Sequence, residues 1–223
     1  MTRLFLIPLA ATGLALAGCG DVGDAPVAET TAVETATDGP ISFTGTALPI
    51  SATDSTVQWT GAKLTGNHLG GFRTVTGDVY VDGDQVTGAD VEIDMTTIYS
   101  DDDQLTGHLS SADFFEVETY PVARFQSSSI RPVTAADSLL PEAATHVVTG
   151  RLTMRDQTNE ISFPAAIQRT ADGTTVEASF LIDRTKWGIT YPGMQDDLIN
   201  DQVRLELNVA TGDAVADGPE LAS

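Results

Sequence analysis

Apolar and polar residues alternate with a period of two along most of this chain. Ile161, Phe163, Ala165 and Ile167 alternate with Ser162, Pro164, Ala166 and Gln168. Val176, Ala178, Phe180 and Ile182 alternate with Glu177, Ser179, Leu181 and Asp183. The same pattern holds for Val203, Leu205, Leu207 and Val209, and for Val91, Ile93 and Met95. Alternation of this kind predicts strands with one wet face and one buried face. Further strands are expected at 56–65, 72–81, 122–130 and 146–154, with a weaker one at 41–50. Asp82-Gly83-Asp84, Ala171-Asp172-Gly173 and Gln157-Thr158-Asn159 fall between extended runs and predict hairpin turns. Helix is expected only within 97–109 and 112–118, in the one long excursion between strands. Eight or nine strands in meander order make an all-β, antiparallel architecture. Closing the sheet into a barrel removes its exposed edges, although a sandwich fits the periodicity nearly as well.

The two ends of the chain break this pattern. Arg3 followed by the apolar run 4–16 reads as a signal peptide, and Leu16-Ala17-Gly18-Cys19 matches the lipobox of bacterial lipoproteins. Thirteen apolar residues are fewer than the roughly 20 that a helix needs to span a bilayer. The reading is therefore a signal peptide at 1–18 and lipid attachment at Cys19. The mature chain would be an exported cell-envelope lipoprotein, anchored to a membrane through its acyl chains and facing the periplasm. Residues 19–40 are rich in Ala, Thr, Asp and Glu and read as a disordered tether, and 212–223 as a disordered tail. One domain is expected at 41–211. Cys19 is the only cysteine, so no disulfide within the chain can brace the fold.

Charge narrows the partners. Loss of Arg3 with the signal leaves 10 Lys and Arg against 32 Asp and Glu, a formal charge of −22 in place of −21. Nucleic acid is excluded on this balance, because its binding is driven by cationic contacts to phosphate. Adsorption to an anionic leaflet by charge is disfavoured for the same reason.

Catalytic patterns are scarce. The sequence has no Gly-x-Ser-x-Gly elbow, no His-Glu-x-x-His and no glycine-rich phosphate loop. His68, His108 and His146 lie far apart, without local metal-ligand spacing. Asp101-Asp102-Asp103 departs from the EF-hand pattern at Leu105, so a solvated acidic loop is expected. Asn67-His68-Leu69-Gly70-Gly71-Phe72 has two readings. His68 could stand at a cavity mouth, or the glycines could simply form a hairpin bend with a satisfied histidine. Phe163 and Phe180, each mid-strand, are expected in the core. Phe114, Phe115 and Trp187 lie in connections and are candidates for lining or gating an opening. Phe114-Phe115 sits inside an acidic segment, and each ring would bury about 150–250 Å², so this connection is expected to fold back as a lid.

Several blocks, in order, carry a family resemblance. They are Gly70-Gly71-Phe72 with Val75-Thr76-Gly77; His108-Leu109-Ser110-Ser111-Ala112-Asp113-Phe114-Phe115 with Tyr120-Pro121 and Phe125-Gln126-Ser127; Gly150-Arg151-Leu152-Thr153-Met154; and Asp183-Arg184 with Trp187-Gly188-Ile189. Together they resemble the YceI-like polyisoprenoid-binding family. The resemblance implies an extended, lipocalin-like antiparallel barrel of about eight strands with a short helical excursion. It also implies an exported protein without catalytic activity and an interior that holds a long isoprenoid-like lipid. The ligand-binding residues it implies are Trp59, His68, Phe72, His108, Phe114, Phe115, Phe125, Arg155 and Trp187, with His68 and His108 at the polar end. No cofactor is implied beyond a bound polyisoprenoid or similar lipid, and a homodimer is allowed. Arg155-Asp156 departs from the family pattern, which leaves the head group open among a diphosphate, a quinone and an amide. Arg73, Arg124, Arg155, Arg184 and Lys186 are the cations available to a charged head. A protein-interaction module with a filled barrel is the alternative.

Overall fold

Period-two alternation emerges as nine long strands in a computed structural model, which describes residues 21–33 and 39–212. In chain order the elements are β1 (Glu29–Ala32), β2 (Thr46–Pro49), β3 (Thr56–Lys63), β4 (Gly66–Phe72), β5 (Val75–Asp82), β6 (Gln85–Asp94), β7 (Ile98–Ser100), α1 (Asp103–Leu109), β8 (Val122–Pro132), β9 (His146–Met154), β10 (Gln157–Thr170), β11 (Gly173–Asp183), β12 (Gly193–Met194) and β13 (Asp197–Ala210). Among the described residues these thirteen strands form one antiparallel sheet in the order β2-β5-β6-β8-β9-β10-β11-β13-β3-β4-β7, with β1 on β10 and β12 on β13. The sheet curls into a half-barrel. Four strands of four residues or fewer raise the count above the eight or nine expected.

The seam of the curl is fastened at one end. Ile50, just past β2, bridges Thr211, just past β13, and the Ser51 N–H donates to the Ala210 carbonyl at 2.8 Å. That end is filled by Leu48, Ile50, Val79, Val81, Val86 and Val209, all buried. Towards the middle, Phe163 stacks on Phe180 with ring centroids 4.2 Å apart, and Trp187, fully buried, joins the same cluster. The expected core role of both mid-strand phenylalanines is therefore met.

Local chemistry explains most boundaries and corrects some. Gly83, at φ +58°, closes the β5–β6 hairpin where Asp82-Gly83-Asp84 predicts it. The β9–β10 turn falls at Arg155-Asp156, two residues before the predicted Gln157-Thr158-Asn159. Arg155 takes up φ 54°, and Asn159 is instead buried in β10, its side-chain amide donating to the Lys186 carbonyl at 2.9 Å. Gly70-Gly71 is not a bend: both glycines lie inside β4, and the chain turns at Leu64-Thr65. A Cβ on Gly70 would overlap the Tyr99 carbonyl oxygen and the Trp59 ring, so close approach is the reason for the glycine. Among the described residues α1 is the one α-helix, beside three single 3-10 turns, and the Asp102 carboxylate caps its first turn by accepting from the Leu105 N–H at 2.8 Å. The expected helix at 112–118 is a run of turns.

The expectation of a disordered tether over 19–40 is corrected for 21–33. The pairing of β10 with β11 ends at Ala166 and Glu177, and beyond that point the two strands part. Their facing edges would carry unpaired backbone groups. The N-terminal segment fills this gap. Ala28 N–H donates to Leu181 O at 2.8 Å and Leu181 N–H to Pro26 O at 2.9 Å, while Glu29–Ala32 pairs with 159–162 of β10. Ala28 is buried in the Phe180–Trp187 cluster, and Val22 is buried against Ala62 and Leu181. The folded unit thus begins well before residue 41. Cys19, the signal segment and residues 213–223 lie outside the described residues.

Because Ala28 belongs to the wall, Ala28→Asp would bury an unpaired carboxylate. We expect a loss of about 3–5 kcal/mol in urea unfolding. An unchanged midpoint would show that the segment contributes nothing to the core.

Candidate functional site

At the end opposite the fastened seam, the interior is hollow. A cavity of about 290 Å³ is walled by β3 (Val57, Trp59, Gly61), β13 (Ile199, Val203, Leu205) and the ends of β6, β8, β9 and β11. Its volume is at the lower edge of small-molecule sites, roughly 300–1,000 Å³. Leu152, Ile182, Val203 and Leu205 belong both to this wall and to the cluster around Phe163 and Phe180, so the aromatic core forms the cavity floor. The interior is neither wholly open nor wholly filled.

The lid is built by local hydrogen bonds. After α1, the chain reverses through Phe115 N–H to Leu109 O at 3.1 Å and Val117 N–H to Ser110 O at 3.1 Å, with Glu116 at φ 48°. This turns both rings inward. Phe114 is buried, with His108 edge-on at 4.9 Å and Tyr191 at 5.4 Å, while Phe115 meets Phe72 edge-on at 6.2 Å. Val117 pins the far end of the lid against Met95 and Ala123.

Six of the nine residues singled out from the sequence line this cavity: Trp59, His68, Phe72, His108, Phe114 and Phe115. The other three do not. Trp187 is core, not a gate: its indole N–H donates to the Leu152 carbonyl at 2.9 Å and its ring is fully buried. Phe125 packs on Phe163 at 5.7 Å, below the hollow. Arg155 donates to Gly188 O at 3.1 Å and to Glu116 Oε2 at 3.3 Å, bracing the lid from outside. Lining residues that sequence reasoning missed include Tyr191, Ile189, Lys63 and Met194. The first two lie in an irregular segment with no periodic signal. Ile199 continues the β13 face, but a bulge between Ile199 and Val203 hides it from alternation.

The ionisable groups His68, His108, Lys63 and Arg184 at the site are engaged with protein. His68 Nδ1 lies 2.9 Å from Asp101 Oδ1, and His108 Nε2 lies 3.0 Å from Asp113 Oδ2. His146 is elsewhere, beside Thr145. Asp101 and Asp102, expected in a solvated loop, hold His68 and cap α1. Burial raises the Asp101 carboxyl, but hydrogen bonds from His68 and the Leu69 N–H outweigh this and leave it lowered. Lys63 Nζ sits 2.8 Å from Asp197 Oδ2 at the rim, and that bond, with two from Thr65, holds Asp197 below its usual range. Arg184 is the one guanidinium among the lining residues. Its N–H groups go to the carbonyls of Ile189 at 2.7 Å and Asn200 at 3.1 Å and to Asp201 at 3.0 Å, and burial lowers its pKa. It ties the β13 bulge to the 189 segment. The Trp59 indole N–H is buried beside the cavity with no acceptor among the described residues.

The comparisons agree with this architecture. The family model described as a YceI-like domain matches residues 49–211. A Pseudomonas putida protein described as UPF0312 protein is 25% identical over 145 residues, covering 61% of this chain and 71% of its own. The crystal structure of Burkholderia cenocepacia BcnA superposes with a TM-score of 0.60 at 20% identity, over 73% of this chain and 99% of that one. A polyisoprenoid binding domain from Saccharophagus degradans, implicated in plant cell wall breakdown, gives 0.57 at 19% identity, over 75% and 98%. At these identities the two structures speak to the fold.

Two outcomes follow from the geometry. Gly70→Ala is expected to cost roughly 1–3 kcal/mol by overpacking against Trp59 and the Tyr99 backbone, read by thermal melting, and a neutral result would exclude the close approach. Asp101 and Asp197 have lowered carboxyl pKa values in the fold, so their stabilising contribution is complete above about pH 3.9, the unfolded value. It is lost as pH falls through their folded values. Unfolding followed from pH 7 to pH 2 should therefore show this contribution constant down to about pH 4 and falling below it. Loss of the rim contacts near neutral pH would contradict it.

Proposed function

This chain belongs to the YceI-like domain family, and from that premise we propose that its cavity binds the apolar chain of an isoprenoid-like lipid in the cell envelope. The observation that carries the reading is the hollow end itself, an almost wholly apolar chamber under a lid whose two adjacent aromatics face inward. A structural neighbour described as polyisoprenoid binding supports the same class of ligand. The role is binding or carriage of the lipid, with the protein attached to a membrane through Cys19.

Size and charge refine the ligand. Phe163 and Phe180 stop the hollow short of the far end, so only part of a long prenyl chain is enclosed. Each buried methylene contributes about 0.8 kcal/mol, and association costs about 4–15 kcal/mol. Affinity should therefore rise with chain length and level off once the chamber is full. The head is proposed to be neutral, a quinone, alcohol or amide. Lys63 is already paired with Asp197 and Arg184 with backbone carbonyls, which leaves a diphosphate poorly compensated on an acidic protein.

Native mass spectrometry and tryptophan fluorescence with prenols of increasing length test this, since Trp59 lines the chamber. We expect saturable binding that stops improving with length, and prenyl diphosphates weaker by at least about tenfold. Val203→Phe, filling the chamber, should abolish uptake while the melting temperature is kept. A folded protein that stays empty with every prenyl lipid would refute the reading.

A further inference from the structure

The rim of the chamber carries large apolar side chains that face solvent. Met194 is the one lining residue that is exposed, at 70%. Beside it stand Leu64 at 53% and Leu198 at 47%. They form one group: the Leu64 N–H donates to the Leu198 carbonyl at 3.2 Å, and β12 places Met194 opposite Asp197 and Gly193 opposite Leu198. A single exposed leucine needs no explanation, but three at the tips of two adjoining hairpins, around the opening of a cavity, form a patch of the kind that marks an interaction site. At the opposite end, Leu139 in the β8–β9 connection stands alone.

The N-terminal segment comes to this same place. The Asp21 carbonyl accepts from the Asn67 side-chain amide at 3.3 Å, and Asn67 lies in the hairpin that carries Leu64 at its tip. Val22 is buried against Ala62 of β3 and Leu181 of β11, so the chain is held there and is not a free tether. Cys19 is two residues upstream in the sequence.

We propose that the protein rests on a bilayer with its chamber mouth against the lipid, Leu64, Met194 and Leu198 entering the interface. The partner is a neutral, zwitterionic lipid surface. A chain with 32 acidic and 11 basic residues is repelled by an anionic one, so apolar insertion and the anchor supply the attachment. A prenyl lipid would then pass between bilayer and chamber without crossing water. The orientation rests on the lipoprotein reading of Cys19, whereas the apolar rim does not.

The lone cysteine makes the test clean. In a Cys19→Ser background of the full chain from residue 19, Leu64→Cys, Met194→Cys, Leu198→Cys and Leu139→Cys each accept one nitroxide. With phosphatidylcholine vesicles, labels at 64, 194 and 198 should become inaccessible to aqueous relaxants, and the label at 139 should stay accessible. The unlabelled triple variant Leu64→Ser, Met194→Ser, Leu198→Ser should float with these vesicles at least tenfold less than its parent, with an unchanged melting temperature. Partitioning that ignores the rim, absence of partitioning by the parent, or protection at 139 equal to that at the rim would overturn the proposal. Intact mass of the membrane-extracted protein reports acylation at Cys19 separately, so a failed anchor and a failed rim are distinguishable. Failure to take up prenols would leave both results standing.

Discussion

The stack of Phe163 on Phe180, 4.2 Å between centroids, sets how deep the interior can be. It stands where the neighbouring strands β10 and β11 have parted, and Trp187 joins the same cluster with its indole N–H committed to Leu152. On the side of the fastened seam the interior is filled by the buried cluster of Leu48, Ile50, Val79, Val81, Val86 and Val209. On the other side the same strands continue upward without side chains long enough to meet. Val57, Gly61 and Ala123 stand where a filled barrel would carry larger groups.

A second constraint follows from sheet twist. Two long strands that pair at one end tend to part at the other, and β10 and β11 do so beyond Ala166 and Glu177. The N-terminal segment repairs this opening with backbone hydrogen bonds to both edges. A stretch of low hydrophobicity is thereby ordered, because it supplies N–H and C=O groups to both edges and buries Val22 and Ala28 as it does so. Its course ties the chain's start to the mouth of the chamber, so the wall and the proposed attachment point are one feature.

Polar chemistry at the site serves geometry. Arg184 ties the Ile189 carbonyl to the Asn200 carbonyl and Asp201 carboxylate of the β13 bulge, Arg155 fastens Glu116 of the lid to Gly188, and the His68–Asp101 pair links β4 to the start of α1. Each of these groups could look, from residue type alone, like a candidate for a head group. Their hydrogen bonds to protein leave the chamber apolar, with orientation left to its rim.

Strand existence, the aromatic lid and the presence at the chamber of six of the nine residues proposed for ligand binding were legible in the sequence, because period-two alternation and paired aromatics are local signals. Trp187 and Phe125 were misassigned for a physical reason: an aromatic in or near a connection can turn either into a cavity or beneath it, and only the position of Leu152 or Phe163 decides which. Gly70-Gly71 suggested a hairpin bend, and only the packing of Trp59 and the Tyr99 backbone reveals that close approach is what the glycine serves. The order of the 21–33 segment, the depth of the chamber and the meeting of Leu64, Met194 and Leu198 at one rim were decided by tertiary structure alone. They depend on which distant strands become neighbours, and that is a property of the curl of the whole sheet rather than of any window of residues.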